Sequence, residues 1–245
     1  SSAMIPLAAM RNLIKEGKLP GVSLEQVDAF LEKGVNRVLS MQRPSGGFAY
    51  WPGEYYESWW ATQYAVLALT MTKKSGFVFD YTTLDRAVSH VRTGLFARNY
   101  EGRFNHGVMA LAVVNLAMNG KIKPADLDIL KNRFESVGGE ASPLLLLAEA
   151  INGSADSKTF KAKLAKLLPE KKSVDRSWYY SSVRQNAFAL MALVDGNGSM
   201  KQADEFAGEL LSSLGQKGYW NSTADTGIAL LALSQYFTRS DVVEK

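Results

Sequence analysis

The sequence of 245 residues contains no cysteine and only two histidines. Without cysteine the chain forms neither a disulfide nor a thiolate metal site, and it offers no cysteine nucleophile. Two histidines are too few for a histidine-rich metal centre, so we expect no metal and no other cofactor. The lack of cysteine leaves the cellular compartment open.

Charge and hydropathy argue against two further classes of protein. The net charge of +4 is mild, and no basic stripe is interleaved with aromatic side chains, so nucleic-acid binding is not expected. No apolar run reaches about 18 residues, so no transmembrane helix is expected. The N-terminus lacks a charged segment followed by an apolar one, so we expect no signal peptide. The chain is then either cytoplasmic or part of something longer.

The sequence does contain a repeat and, at 47% hydrophobic residues, enough apolar surface for a sizeable core. In each copy an aromatic or glycine turn precedes a helix rich in alanine and leucine. A period of about 40 residues holds two helices and two loops, so the repeating unit is a helical hairpin. The four turns are Gly46-Gly47-Phe48, Gly102-Arg103-Phe104, Trp178-Tyr179-Tyr180 and Gly218-Tyr219-Trp220.

Helical periodicity predicts about eleven helices and no strand. The alanine/leucine helices are apolar nearly all round, as the inner helices of a closed ring would be, whereas the helices between them have a charged face. This asymmetry favours an all-α fold, an α/α toroid of antiparallel hairpins with eleven to twelve helices in a single domain over residues 1–245. The predicted helices are 3–16, 23–42, 58–73, 82–97, 106–119, 123–136, 142–151, 157–168, 181–194, 199–214 and 223–237.

Serine residues mark the predicted starts of several helices. Ser23 with Gln26, and Ser199 with Gln202, have the spacing of a capping box, in which the hydroxyl accepts a free N–H and the glutamine reaches back. Ser222 is predicted to cap the last helix.

Five aromatic residues crowd the loop that follows Gly47. One interpretation is a groove for a sugar or an isoprenoid, as in toroidal enzymes. The other, which we favour, is packing over the end of the barrel or contact with a neighbouring domain, because aromatic side chains dominate burial wherever they lie. The five are Trp51, Tyr55, Tyr56, Trp59 and Trp60.

Acidic residues provide two candidate sites. Glu54 and Glu57, in the aromatic loop, have the chemistry of a glycoside hydrolase pair, but solvated carboxylates are the ordinary case in a polar loop. Asp225 is interpreted as a first-turn acid that interacts favourably with the helix dipole.

Three polar residues lie where apolar helices begin. Arg184 and Asn186 would either bind a ligand at the mouth of the toroid or satisfy loop carbonyls, and we prefer the second role. A lone histidine such as His106 could act as a general base, but a polar residue that merely begins a helix is the commoner case. The lysines of a predicted outer helix and its exit loop are interpreted as a solvated face; they are Lys158, Lys161, Lys163, Lys166, Lys171 and Lys172.

Two families of toroidal enzyme are excluded because the motifs that they require are absent from this sequence. Protein prenyltransferases need a zinc site with a cysteine, and triterpene cyclases need an Asp-x-Asp-Asp motif that does not occur here. A glycoside hydrolase or polysaccharide lyase on the same toroid is the main alternative, although acids are scarce on the inner helices. An open hairpin scaffold with a concave binding face is a third possibility.

Several stretches resemble, in the same order, the thioester domain of bacterial α2-macroglobulins. The most specific is residues 34–43 followed by residues 46–51, and three others are residues 142–146, 180–187 and 222–227. The resemblance covers nearly the whole chain, and the ordered set is more specific than any one member.

The resemblance implies an α/α toroid within a much longer multidomain protein that is a protease inhibitor and not an enzyme. In that family a protease cuts a bait region in another domain, the molecule changes shape, and the protease is caged. The implied partners are the other domains of the parent protein and target proteases. The implied location is periplasmic or otherwise extracytoplasmic, with any membrane contact made through a lipid anchor elsewhere in the parent.

In many members of that family a Cys–Gln thioester then captures the protease covalently. Its Cys-x-Glu-Gln motif normally comes just before a stretch like residues 2–7, and here the chain begins at Ser1. The parent therefore either carries the motif upstream or belongs to the branch without a thioester, so no thioester residue is assigned. His106 lies at a distance suited to the activating histidine of some relatives, but its context does not match. The aromatic loop is expected to contact a neighbouring domain through Trp51 or Trp59.

Overall fold

The computed structural model describes residues 3–97, 106–134, 140–171 and 181–243. Over these residues the chain is all-α, with eleven helices and no strand, so the predicted fold class is confirmed. The predicted turns at residues 102–104 and 178–180 lie outside the described residues. The helices are α1 (Met4–Lys15), α2 (Leu24–Leu39), α3 (Trp59–Lys74), α4 (Tyr81–Phe96), α5 (His106–Met118), α6 (Pro124–Phe134), α7 (Ala141–Ile151), α8 (Lys158–Leu164), α9 (Ser182–Asp195), α10 (Met200–Ser212) and α11 (Thr223–Val243).

The chain divides into two compact units, Ser1–Gly102 with α1 to α4 and Arg103–Lys245 with α5 to α11. In the second unit α5, α7, α9 and α11 pack side by side in that order, and α6, α8 and α10 pack against them. A single domain over residues 1–245 stays a prediction.

The inner and outer helices differ in burial as their sequences predict. Every residue of α5 from Gly107 to Ala117 is buried, because the helix is apolar on all sides. By contrast α2 buries only Val27, Leu31, Val35 and Val38, which form a single stripe at helical spacing. The hydropathy pattern thus decides which helices lie inside each unit.

Two of the repeated turns have the same hydrogen bonds, although they lie in different units. The buried Phe48 donates its N–H to Oγ1 of Thr62 at 2.9 Å, and the buried Trp220 donates its N–H to Oγ1 of Thr226 at 3.2 Å. Each threonine lies four residues after a capping serine, Ser58 or Ser222, and each serine hydroxyl accepts from the third residue of its helix. The turn is therefore a structural element, and its hydrogen bonds fix the residue at which an inner helix begins.

The capping prediction is confirmed at two serines and is wrong at a third. Ser23 accepts from the backbone N–H of Gln26 and Ser222 accepts from that of Asp225. Ser199 precedes α10 but makes no side-chain cap bond. Gln202 donates instead to the carbonyls of Leu164 and Leu167. These carbonyls lie at the end of α8, which stops at Leu164 and not at the predicted residue 168.

An arginine supports the carbonyl end of one inner helix in each unit. In the first unit the buried Arg11 pairs with Asp28, at 2.6 Å, and donates to the carbonyl of Ser75, which ends α3. In the second unit Arg239 donates to the carbonyls of Leu193 and Val194 near the end of α9, both at 2.9 Å. Cationic donors are favourable there because the helix dipole is negative at its carbonyl end.

No helix in the described ranges is both long and apolar enough to cross a membrane.

Candidate functional site

The loop between α2 and α3 presents four exposed aromatic side chains, which we call the aromatic surface. Tyr50, Trp51, Tyr55 and Tyr56 are 42%, 59%, 81% and 78% exposed. The rings form two pairs, Tyr50 with Trp51 at 5.4 Å and Tyr55 with Tyr56 at 5.3 Å between centroids. Isolated exposed apolar side chains are common, whereas larger exposed apolar patches are typical of interaction sites. Tyrosine and tryptophan are also the residues enriched in protein interfaces.

The loop that carries the aromatic surface is held by its own hydrogen bonds. A carboxylate oxygen of Glu54 accepts from the backbone N–H groups of both Tyr50 and Trp51, each at 3.1 Å. The Tyr50 ring also stacks on that of Trp60, with 5.8 Å between the centroids. The exposed rings therefore lie on a constrained loop, which lowers the entropy lost when a partner binds.

Trp59 belongs to the interior and not to the aromatic surface. Its side chain is only 6% exposed and its ring centroid lies 6.2 Å from that of His90 in α4. Trp60 is half-buried and packs on Tyr64, at 4.5 Å between the ring centroids. Of the two residues expected to contact another domain, Trp51 is the accessible one.

Glu57 belongs to a polar cluster next to the Gly46-Gly47 turn. It accepts from the Ser45 hydroxyl at 2.5 Å, and its other oxygen lies 3.1 Å from Nε2 of His90. The carboxylate lies between the serine and the histidine, so the imidazole is not placed to take a proton from the hydroxyl as in a catalytic triad. Since Glu54 holds the loop, both acids of the proposed hydrolase pair have structural contacts.

A buried charge cluster, Glu140, Arg184 and Asp225, lies in the second unit. One guanidinium nitrogen of Arg184 donates to Asp225 at 2.8 Å and another donates to Glu140 at 3.1 Å. Arg184 and Asp225 are buried, and the same Glu140 oxygen accepts the N–H of Ser181 at 2.7 Å. We call these three residues the charge triad.

The charge triad joins the starts of three inner helices. Glu140 is the N-cap residue of α7, Arg184 lies in the first turn of α9, and Asp225 lies in the first turn of α11. Both carboxylates therefore lie where the helix dipole is positive, which partly offsets the cost of burying them. The expected dipole role of Asp225 fits this position.

Burial raises the pKa of Glu140, and the nearby Asp225 carboxylate adds to this effect, while Arg184 and the Ser181 N–H oppose it. Two carboxylates share one guanidinium, so the three ionised groups of the charge triad together carry one negative charge in a site of low solvent access. The arrangement joins the starts of three helices through Arg184, which donates to one carboxylate on each side.

The remaining polar candidates are separate from the charge triad. Asn186 bonds both the N–H and the carbonyl of Glu170, at 2.8 and 3.0 Å, which confirms its role in satisfying loop backbone. His106 begins α5 with an exposed side chain. Among the described residues, no three histidine, aspartate or glutamate side chains converge as metal ligands would.

Sequence reasoning missed Glu140, although the other two triad residues follow a detectable pattern. Arg184 and Asp225 are each the third residue after a capping serine, Ser181 or Ser222. Opposite charges at this repeated position are a signal that adjacent inner helices pair at their starts. Glu140 gives no such signal, because it follows a glycine pair in a segment without helical periodicity.

Comparison with known proteins gives a consistent result. No protein-family model matches the chain. The chain is 26% identical over 228 residues to alpha-2-macroglobulin of Escherichia coli strain K12, which covers 87% of the chain but only 14% of that relative.

Solved structures share the fold. Escherichia coli alpha-2-macroglobulin activated by porcine elastase matches 96% of the chain and 22% of its own, with a TM-score of 0.74 and 23% identity. Salmonella alpha-2-macroglobulin reacted with methylamine matches 88% of the chain and 15% of its own, with a TM-score of 0.69 and 25% identity.

The chain is thus an all-α domain of helical hairpins that is similar, over most of its length, to one region of the much longer bacterial alpha-2-macroglobulins.

Proposed function

We propose that the chain is the thioester-type domain of a bacterial alpha-2-macroglobulin-like inhibitor that traps proteases after they cut a bait region. The observation that carries the proposal is similarity in sequence and in fold, over most of the chain, to one region of these much longer proteins. The domain itself is not an enzyme. The parent protein lies outside the cytoplasm, and a lipid anchor elsewhere in its chain attaches it to a membrane.

The polar groups of the described residues support a structural role. The two loop glutamates hold the aromatic loop and its turn, and Arg184 is enclosed by two carboxylates. These contacts favour a helical domain whose surface meets other domains over a carbohydrate-active enzyme, which needs a pair of free carboxylates facing substrate.

Protease capture by the full-length parent tests this proposal. After incubation with elastase or trypsin, we expect the protease to cleave a small peptide substrate normally while losing most of its activity on a protein substrate. A caged active site remains open to small molecules only. Intact mass with and without methylamine then separates two mechanisms. One added methylamine and one new thiol indicate a thioester outside this chain, and no addition indicates non-covalent caging. Full activity on the protein substrate would contradict the proposal.

The aromatic surface is proposed to dock on a neighbouring domain of the parent protein. Its residues are large, exposed and held on a constrained loop, which are the properties of interface anchors. The parent domain is the favoured occupant because the chain corresponds to only 14% of its curated relative. This proposal rests on the function proposed above.

Amide hydrogen exchange would reveal the docked surface. In the uncleaved parent we expect residues 50–57 to exchange at least about tenfold more slowly than in the isolated 245-residue chain. Most of the loop's backbone N–H groups face solvent even though Glu54 holds two of them, and a domain contact would add protection. Replacing Trp51, Tyr55 and Tyr56 with serine should remove that protection, because aromatic anchors contribute about 2 kcal/mol or more each.

The matched control replaces two other exposed apolar residues of the first unit, Phe30 and Val78, with serine. This variant should keep the protection of residues 50–57. Equal exchange in the parent and the isolated chain would show that the aromatic surface faces solvent in both.

A further inference from the structure

Two copies of the repeated turn differ in how much chain lies between the turn and its helix. In the last copy Asn221 alone separates Trp220 from the capping Ser222. In the first copy residues 49–57 separate the equivalent phenylalanine and serine, which make the same hydrogen bonds. Since one residue is enough to join turn and helix in the last copy, residues 49–56 are an insertion, which we call the insert.

The two ends of the insert meet in space. The carbonyl of Phe48 accepts from the backbone N–H of Ser58 at 2.9 Å, so the chain leaves the turn and rejoins it at one point. A surface loop of this length with closed ends is an Ω-loop, a type that is frequently functional. With a single residue between Phe48 and Ser58, the same bond would close an inverse γ-turn, which is common where loops start. The path of the chain therefore does not require the insert.

The insert contributes little to the core of the first unit. Ala49 is buried, but residues 50–56 are all exposed. The turn from which the insert leaves is different, because Phe48 and its partner Thr62 are 1% and 0% exposed. Large aromatic rings stabilise a fold when they are buried, and the four rings of the aromatic surface are not.

The insert offers a partner aromatic rings and no cation. It contains no lysine or arginine, and its one acid, Glu54, accepts from the backbone N–H groups of Tyr50 and Trp51. What remains for a partner is the aromatic surface, whose rings contribute to binding by burying apolar area. A charged partner face would lose water there without gaining an opposite charge.

We infer that the insert serves binding and not folding, and that its aromatic surface docks on an uncharged, apolar face of a neighbouring domain. The inference rests on the docking proposed above and adds two properties to it. The loop is dispensable to the fold of this chain, and its contact with the partner is not electrostatic.

Deleting residues 49–56 from the 245-residue chain tests the first property. The variant joins Phe48 directly to Glu57, which copies the spacing of the last turn and leaves Glu57 in the chain for its contacts with Ser45 and His90. We expect cooperative unfolding with a urea midpoint lowered by less than about 1 M. The protection of α2, α3 and α4 against hydrogen exchange should be retained.

Thr62→Val is the matched comparison, because it changes one group of the turn and leaves the insert whole. The Thr62 hydroxyl accepts the N–H of the buried Phe48, and a buried donor left without an acceptor is costly. We expect Thr62→Val to lower the urea midpoint more than the deletion does. A deletion variant that fails to fold, or that is less stable than Thr62→Val, would overturn the inference whatever the parent protein does.

Hydrogen exchange of residues 50–57 in the uncleaved parent tests the second property. We expect their protection, relative to the isolated chain, to change by less than about threefold between about 0.05 and 0.5 M sodium chloride, because salt screens charges but does not weaken apolar contacts. A larger fall would show that the partner face is charged and would overturn the inference while leaving the docking intact. Equal exchange in the parent and the isolated chain at both salt concentrations would overturn the docking itself, even where the deletion variant folds.

Discussion

Replacing Arg184 with methionine is expected to lower the free energy of unfolding of the second unit by about 3–5 kcal/mol. Methionine keeps much of the side-chain length but removes the guanidinium, which donates to Glu140 and Asp225. Two carboxylates of low solvent access then lose the guanidinium that they share. Breaking a buried pair from one side is costly because the remaining charges have left water and lost their partner.

The loss should depend on pH in a defined direction. The folded-state pKa of Glu140 is already above its ordinary value, so the fold favours its protonated form. The contribution of this group to stability is thus greatest below its ordinary pKa and declines as pH rises through the window above it. Without Arg184 the pKa of Glu140 rises further. The deficit of the variant should therefore be smaller near about pH 4 than near about pH 7.5.

Urea unfolding measures the change, and hydrogen exchange of α7, α9 and α11 assigns it to the second unit. Arg37→Met is the control, because Arg37 is exposed on α2, and surface substitutions usually stay within about 0.5 kcal/mol. A loss below about 1 kcal/mol, or one that is the same at both pH values, would show that the charge triad does not hold the three helices.

Replacing Gly46 with alanine is expected to lower the free energy of unfolding of the first unit by about 2–4 kcal/mol. Gly46 has a φ of +97°, a backbone conformation that residues with a Cβ rarely adopt. Its Cβ would also lie 2.8 Å from the backbone carbonyl oxygen of Arg86 and 3.1 Å from Cβ of His90. A backbone atom cannot swing away as a flexible side chain can, so the turn and α4 must separate.

Gly53→Ala is the matched comparison, in the same connection between α2 and α3. Gly53 has a φ of +81° but no atom within 4 Å of an added Cβ. The Gly53→Ala variant should lose only about 1 kcal/mol of unfolding free energy, which is the cost of the left-handed backbone conformation alone. Chemical denaturation of both variants isolates the contribution of close packing. Equal losses at the two glycines would mean that the turn does not press on α4.

Local features of the sequence were sufficient to predict the helices. Apolar residues at helical spacing mark α2, and all-round hydrophobicity marks α5, because each pattern acts over a few turns of one helix. The turns at Phe48 and Trp220, predicted to be copies of one motif, do have the same hydrogen bonds. These bonds join residues that lie close to one helix start, so they depend on local sequence.

Side-chain partners across the fold required the structure. Ser199 has the spacing of a capping residue, yet Gln202 is drawn to the end of α8 by tertiary packing. Trp51 and Trp59 are equally aromatic in the sequence, but only the position of α4 determines that Trp59 is buried against His90. Exposure depends on neighbours distant in the chain, and composition carries no information about them.

The sequence by itself determined that this protein is a series of helical hairpins with apolar inner helices, since helix periodicity and turn chemistry are local properties of the chain. Only the tertiary structure decided that Glu140, Arg184 and Asp225, spread over three hairpins, share one buried site. This site depends on which helix faces lie against each other, and that is fixed by the packing of the whole unit.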